Sequence, residues 1–191
     1  MTNPVLDTIA QRFSCRSYTG ASVDADKLKA VVKAGLHSPS ALDQQKWRLK
    51  VITNKALIDE MNDEALAILK ANPDQTAYER IMSRGGVVYY NVPAMILVMK
   101  VGEETARSTL GLDIDCGILV QNMALAATAV GYNSVIAAMS GLALSGERAE
   151  YFKEKLKVAP NETFAIGLLL GEGNMTKEPH AIDWDKVSYI D

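Results

Sequence analysis

The sequence predicts an α+β fold. Segments with helical periodicity outnumber strand-like ones, and the two kinds do not alternate strictly, which argues against a regular doubly wound sheet. Two short apolar runs, 94-AMILVMKV-101 and 163-TFAIGLLLG-171, are too uniform to leave one face in water and so need cover on both sides.

In chain order, Asn3 and Pro4 read as N-cap and first helical residue of a helix over 4–12, with Val5, Leu6 and Ile9 turned inward. A second helix spans about Val23 to Leu36, with Ser22 as N-cap. Leu28, Val31, Val32 and Leu36 form its stripe, and the proline turn HSPSA stops it. Residues 47–53 set Trp47, Leu49 and Val51 against Arg48 and Lys50, the period of a half-covered strand. Leu57, Met61, Leu66 and Leu69 predict a helix over 55–71, and residues 74–86 are weakly helical up to Gly85-Gly86. After the strand 94–101, residues 110–130 are apolar around most of a helical circumference, as in a central or interface helix, and Gly131 ends it. A strand over 134–139, an amphipathic helix after Ser145 and the strand 163–171 follow. The polar tail closes on 187-VSYI-190, an extended segment with no obvious partner.

The composition narrows the function. With 191 residues, 48% hydrophobic and 23% charged, the chain can build a full core, and one domain over 1–191 is expected. Lys plus Arg is 20 against 23 Asp plus Glu, so the basic excess of a nucleic-acid binder is missing. Two cysteines (Cys15, Cys116) and two histidines (His37, His180) point away from a disulfide framework and from a structural metal. The runs 92–99 and 164–170 fall short of the roughly 20 residues of a membrane-spanning helix. The first residues lack a signal-peptide core, so a cytoplasmic protein with reduced thiols is expected.

Motifs for phosphate loops, dinucleotide turns and nucleophile elbows do not occur. Asp113 and Asp115 stand where the apolar helix begins and would favour its positive end, with a catalytic carboxylate pair as the alternative. Cys15 and Cys116 read as small buried hydrophobes. In 12-RFSCRSY-18, an extended chain would point Arg12, Ser14 and Arg16 the same way, toward a phosphate or an anionic ring edge. The same residues also read as cations closing a helix. In the segment 38–52, Ser40, Asp43, Gln44 and Gln45 stand at a mouth between helix and strand, or simply form a turn.

Together these segments resemble the nitroreductase family of flavin enzymes. Arg12, Ser14, Arg16 and Tyr18 match its opening motif, and Ser38, Pro39, Ser40, Ala41, Gln45 and Trp47 match its second, one amphipathic helix later. The segment 113–134 is similar to the family's central dimer helix and following turn, TFAIGLLLG to its late strand, KEPH to its terminal basic cluster and VSYI to its closing segment.

The resemblance implies an intertwined α+β homodimer around a mostly antiparallel sheet, with FMN at each of two interface sites. The segment from about 172 to 191 would extend onto the partner. Arg12 and Ser14 would meet the phosphate and ribityl regions, Arg16 the pyrimidine edge, and Lys177 and His180 the phosphate again. Pro39, Ser40, Ala41, Asp43 and Gln45 would approach the ring from the other subunit. The backbone of Ile136, Ala137, Ala138 and Met139 would border the ring, with the Ala138 N–H near N5. The implied activity is electron transfer from NAD(P)H to nitroaromatic, quinone or related small acceptors by an alternating mechanism. The flavin carries the chemistry, so no catalytic side chain is expected. A dedicated dehydrogenase or flavin reductase on the same scaffold, or a non-enzymatic dimeric interaction protein, are the alternatives. Four positions depart from the family pattern: Asp43 stands for asparagine, Lys46 for proline, His180 near an expected arginine, and Ala138 for a larger or polar residue of some relatives, where only the backbone is expected to matter.

Overall fold

The structure is a computed structural model that describes residues 3–102 and 106–190, with backbone alone at 106–109. Strands β1 (Trp47–Ile52), β2 (Ala94–Val101), β3 (Asn133–Ala137) and β4 (Glu162–Gly171) form one antiparallel sheet in the order β1-β2-β4-β3. The α+β expectation holds.

Each face of the sheet is covered by helices. On one face, α2 (Ala25–Leu36) and α5 (Ala106–Ala129) bury Leu28, Val31, Leu119 and Met123 against Ile96 and Leu168. On the other, α3 (Lys55–Ala71), α4 (Thr76–Met82), α6 (Ala149–Lys155) and the 3-10 turn Ala138–Leu144 pack around Leu97 and Leu169. Neighbouring residues of β2 and β4 thus enter opposite cores, which is why both strands lack polar alternation. The strand β1 lies at the sheet edge. Its Trp47 and Ile52 enter opposite cores, while Val51 is exposed, so the expected alternation is only partly realised.

Asn3 caps α1 (Pro4–Gln11) by accepting from the N–H groups of Val5 and Leu6, as its sequence predicts. Val5, Leu6 and Ile9 nevertheless stay exposed, contrary to the inward face expected, because no described element covers them. The second helix starts at Ala25 rather than Val23. Asp24, not Ser22, is its cap, since the Asp24 carboxylate receives the Lys27 N–H at 2.9 Å. Leu36 is exposed at its last position.

The helix α5 begins four residues before the expected start. Asp113 and Asp115 therefore lie in its interior, not at its positive end. Asp113 pairs with Lys100 at 3.0 Å, and Asp115 binds a loop described below. The segment Leu110–Ala129 has the length and apolar character to cross a membrane, which the shorter runs in the sequence do not. Here its buried side packs against α2 and the sheet. Leu110, Ile114 and Ile118 form an exposed stripe at four-residue spacing along it. The expected strand over 134–139 ends at Ala137 and passes into the 3-10 turn. Beyond Glu172 the chain is exposed; Trp184–Lys186 makes one 3-10 turn, and 187–190 pairs with no described strand.

Candidate functional site

A cleft of about 930 Å3 opens where three pieces of chain meet: the segment after α1, the end of β3, and the end of α4 with the loop after it. That volume lies in the usual range for small-molecule and cofactor sites.

The first wall follows from how α1 stops. Arg12 leaves the helix extended, and Cys15 then donates its N–H to the Ser134 carbonyl at 2.9 Å, laying the segment beside β3. Cys15 is fully buried between Ser14 and Arg16, so those two project from the opposite side, as an extended chain requires. The Tyr18 hydroxyl donates to main-chain carbonyls of Cys15 and Leu169, and burial pushes its pKa far up, so it remains a proton donor. On either side of Tyr18's bridge to Gly173 the chain runs along the start of the tail: Thr19 donates its N–H to Glu172, Asn174 donates to Ser17, and the Arg16 N–H approaches the Met175 sulfur. Arg16, Ser17, Tyr18 and Met175 all line the cleft.

Ile136, Ala137, Ala138 and Met139 form the second wall. Their backbone is held from behind, because buried Ser140 donates to the Ala137 carbonyl at 2.6 Å. Gly141 also lies so close to β4 that a Cβ there would overlap the Phe164 ring. The Ser134 hydroxyl, buried beside Ser14, has no hydrogen-bond partner among the described residues.

Arg80 and Arg84 stand on the third wall. Periodicity did not single them out, because on a short polar helix they read as solvated charges. The available signal was their four-residue spacing just before Gly85-Gly86. Tyr90 and Asn91, also in the lining, adopt positive φ of 55° and 57°. The charged groups lining the cleft are Arg16, Arg80 and Arg84, with no carboxylate among them.

The second motif lies elsewhere. Pro39 to Gln45 form an exposed loop with Leu42, Asp43 and Gln45 at positive φ, tied internally by Gln45 N–H to the Ser40 hydroxyl and by the Gln45 amide to Asp43. The helix α5 holds it at two points. Asn122 donates to the Ser38 hydroxyl at 2.8 Å, and the Ala41 N–H donates to Asp115. Asp115 lies 14 residues before the end of α5 at Ala129, about 21 Å along the axis, whereas Ser14 pairs with Ser134 just past that end. A single chain therefore does not bring Ser40, Asp43 and Gln45 to Arg12, Ser14 and Arg16. Lys177 and His180 lie on the exposed tail without a side-chain partner among the described residues.

The family model described as the Nitroreductase family matches residues 9–172. The chain belongs to the nitroreductase family. A crystal structure of a nitroreductase with bound FMN from Desulfitobacterium hafniense DCB-2 is 40% identical, covers all of both chains and superposes with a TM-score of 0.92. A nitroreductase structure with bound FMN from Bacteroides fragilis NCTC 9343 shares the fold at 24% identity and a TM-score of 0.87, again over all of both chains. A curated relative from Methanothermobacter thermautotrophicus, whose name carries the words NADH dehydrogenase/NAD(P)H nitroreductase, is 25% identical over 132 residues, 69% of this chain. The match spans 59% of that relative's own length. In this nitroreductase the cationic cleft and the α5-anchored loop lie on separate parts of a single chain.

Proposed function

We propose that this chain is an FMN-dependent oxidoreductase. It takes reducing equivalents from NAD(P)H and passes them to nitroaromatic, quinone or related acceptors in alternating half-reactions. The observation that carries this reading is the cleft: Arg16 of the segment 12–18 lines it together with the backbone of 136–139, with no carboxylate in the lining, in a chain 40% identical over its whole length to a nitroreductase with bound FMN. The donors of the segment 12–18 suit that anionic cofactor, since the guanidinium forks of Arg12 and Arg16 and the Ser14 hydroxyl match a phosphate and the edge of a flavin.

Bound FMN would supply the hydride chemistry, which amino-acid side chains do not perform. In this reading Arg12 and Ser14 bind the phosphate and ribityl end, with Lys177 and His180 closing on it. Arg16 stabilises negative charge at the pyrimidine edge. The backbone of 136–139, with the Ala138 N–H, lies along the reactive side of the ring.

The loop Pro39–Gln45 serves the cleft of a second copy, so the working unit is a homodimer. The exposed apolar positions support this: Val5, Leu6 and Ile9 on α1, Leu110, Ile114 and Ile118 on α5, and Trp184, Tyr189 and Ile190 on the tail, which reaches onto the partner. The chain acts as one domain, and its two buried free cysteines suit a reducing cytoplasm.

Purification tests the reading directly. The protein should be yellow, hold FMN in equal number to its chains, sediment as a dimer and lose its flavin colour on anaerobic mixing with NADH or NADPH. A colourless protein that FMN cannot reconstitute overturns it.

A further inference from the structure

Arg80 and Arg84 have no part in the scheme above, yet their position is well defined. The Gly86 N–H donates to the Ile81 carbonyl and the Gly85 N–H to that of Met82, the paired bonds of a Schellman closure. Gly85 occupies the left-handed position of that closure at φ 92°. The closure holds the backbone just after Arg84, which follows Arg80 by four residues, and both line the cleft.

Neither side chain makes a hydrogen bond or ion pair among the described residues, although Glu79 is adjacent to Arg80. Elsewhere on this surface Arg148 finds Glu60 and Lys153 finds Glu150. A chain of net charge −3 has thus placed two unpaired guanidinium groups in a cleft whose lining holds no carboxylate. Such an arrangement focuses positive potential on whatever enters. The flavin phosphate already has Arg12, Ser14, Lys177 and His180 in the proposed scheme, and the pyrimidine edge has Arg16, so this pair is complementary to a further anion.

We infer that Arg80 and Arg84 form an anion subsite on the α4 wall that takes a phosphate or carboxylate group of the molecule meeting the flavin. The inference rests on the FMN reading above. Two sources offer that chemistry: the 2′-phosphate of NADPH and a carboxylate on the electron acceptor. Planar guanidinium forks suit either oxyanion.

Isothermal titration of the FMN-loaded protein separates the possibilities with two probe pairs: adenosine 2′,5′-bisphosphate against 5′-AMP, and 4-nitrobenzoate against 4-nitrobenzyl alcohol. In the double variant R80Q/R84Q, the affinity ratio of the more anionic to the less anionic member should fall about tenfold or more in at least one pair. A fall in the first pair identifies the nucleotide phosphate as the ligand, and a fall in the second the acceptor carboxylate. The R80K/R84K variant, which keeps the charge without the fork, should lose less. Ratios that stay within about threefold of wild type in both pairs overturn the subsite. So does an R80Q/R84Q protein purified without FMN, which would assign the arginines to the cofactor. Yellow wild-type protein with unmoved ratios removes the subsite alone; colourless wild-type protein removes the FMN reading and the subsite with it.

Discussion

Asp115, buried in the middle of α5, accepts the Ala41 N–H with both carboxylate oxygens, at 3.1 and 3.2 Å. The contact joins a core helix to an exposed turn in which Leu42, Asp43 and Gln45 hold positive φ. Asp115→Ala should lower stability by about 1–3 kcal/mol, the range for losing a charge-assisted hydrogen bond to a buried group. It should also speed hydrogen exchange at Ala41. Urea unfolding and exchange measurements check both, and an unshifted midpoint with slow Ala41 exchange would show that the turn holds itself.

Arg12 is half-buried where α1 ends and has no side-chain partner among the described residues. Arg12→Ala should weaken FMN binding by about 1.5–3 kcal/mol, roughly 10- to 150-fold, by removing a charge-assisted contact to the phosphate. Fluorescence titration of apoprotein with FMN measures it; equal affinity in the variant would exclude Arg12 from the phosphate site.

Burial, with the neighbouring Asp113 adding to it, pushes the Cys116 thiol up to about 11. At pH 8 only about 0.1% of it is thiolate, so native protein should resist alkylation at Cys116 and react once unfolded. The folded-state pKa is raised, so the unfolded chain loses this proton first as pH climbs. The thiol's contribution to stability is complete below about pH 8.5 and is lost as pH rises through 11. The alkaline decline in unfolding free energy should therefore be shallower in Cys116→Ala than in wild type, and parallel curves would contradict the assignment.

Asp43 accepts from the Gln45 amide at 2.8 Å and is exposed on the loop assigned to the partner's flavin. In the proposed dimer, Asp43→Asn keeps an acceptor and removes a negative charge from beside the partner's ring. The reduction potential of bound FMN should rise, as read by anaerobic dye-equilibrium titration. A potential that stays or falls would place Asp43 away from the ring.

Local signals that one side chain can carry were legible in the sequence. The Asn3 cap and Pro4, the period of α3, the uniform apolar runs of β2 and β4, and the glycine ending α5 each depend on near neighbours alone. The cap of α2 was misplaced because Ser22 and Asp24 are both good caps, and the choice depends on where the backbone turns. The start of α5 was misplaced because four further residues extend it in the absence of a strong stop.

By itself the sequence determined the α+β class, the order of most elements and the two motifs that mark the family, all products of local periodicity and residue chemistry. Tertiary structure alone decided that Asp115 holds the Ala41 turn, that Arg80 and Arg84 enter the same cleft as Arg16, and that this loop and this cleft lie too far apart to meet in one chain. Those relationships join residues tens of positions apart through the length of one helix and the closure of another, and no short stretch of sequence carries such distances.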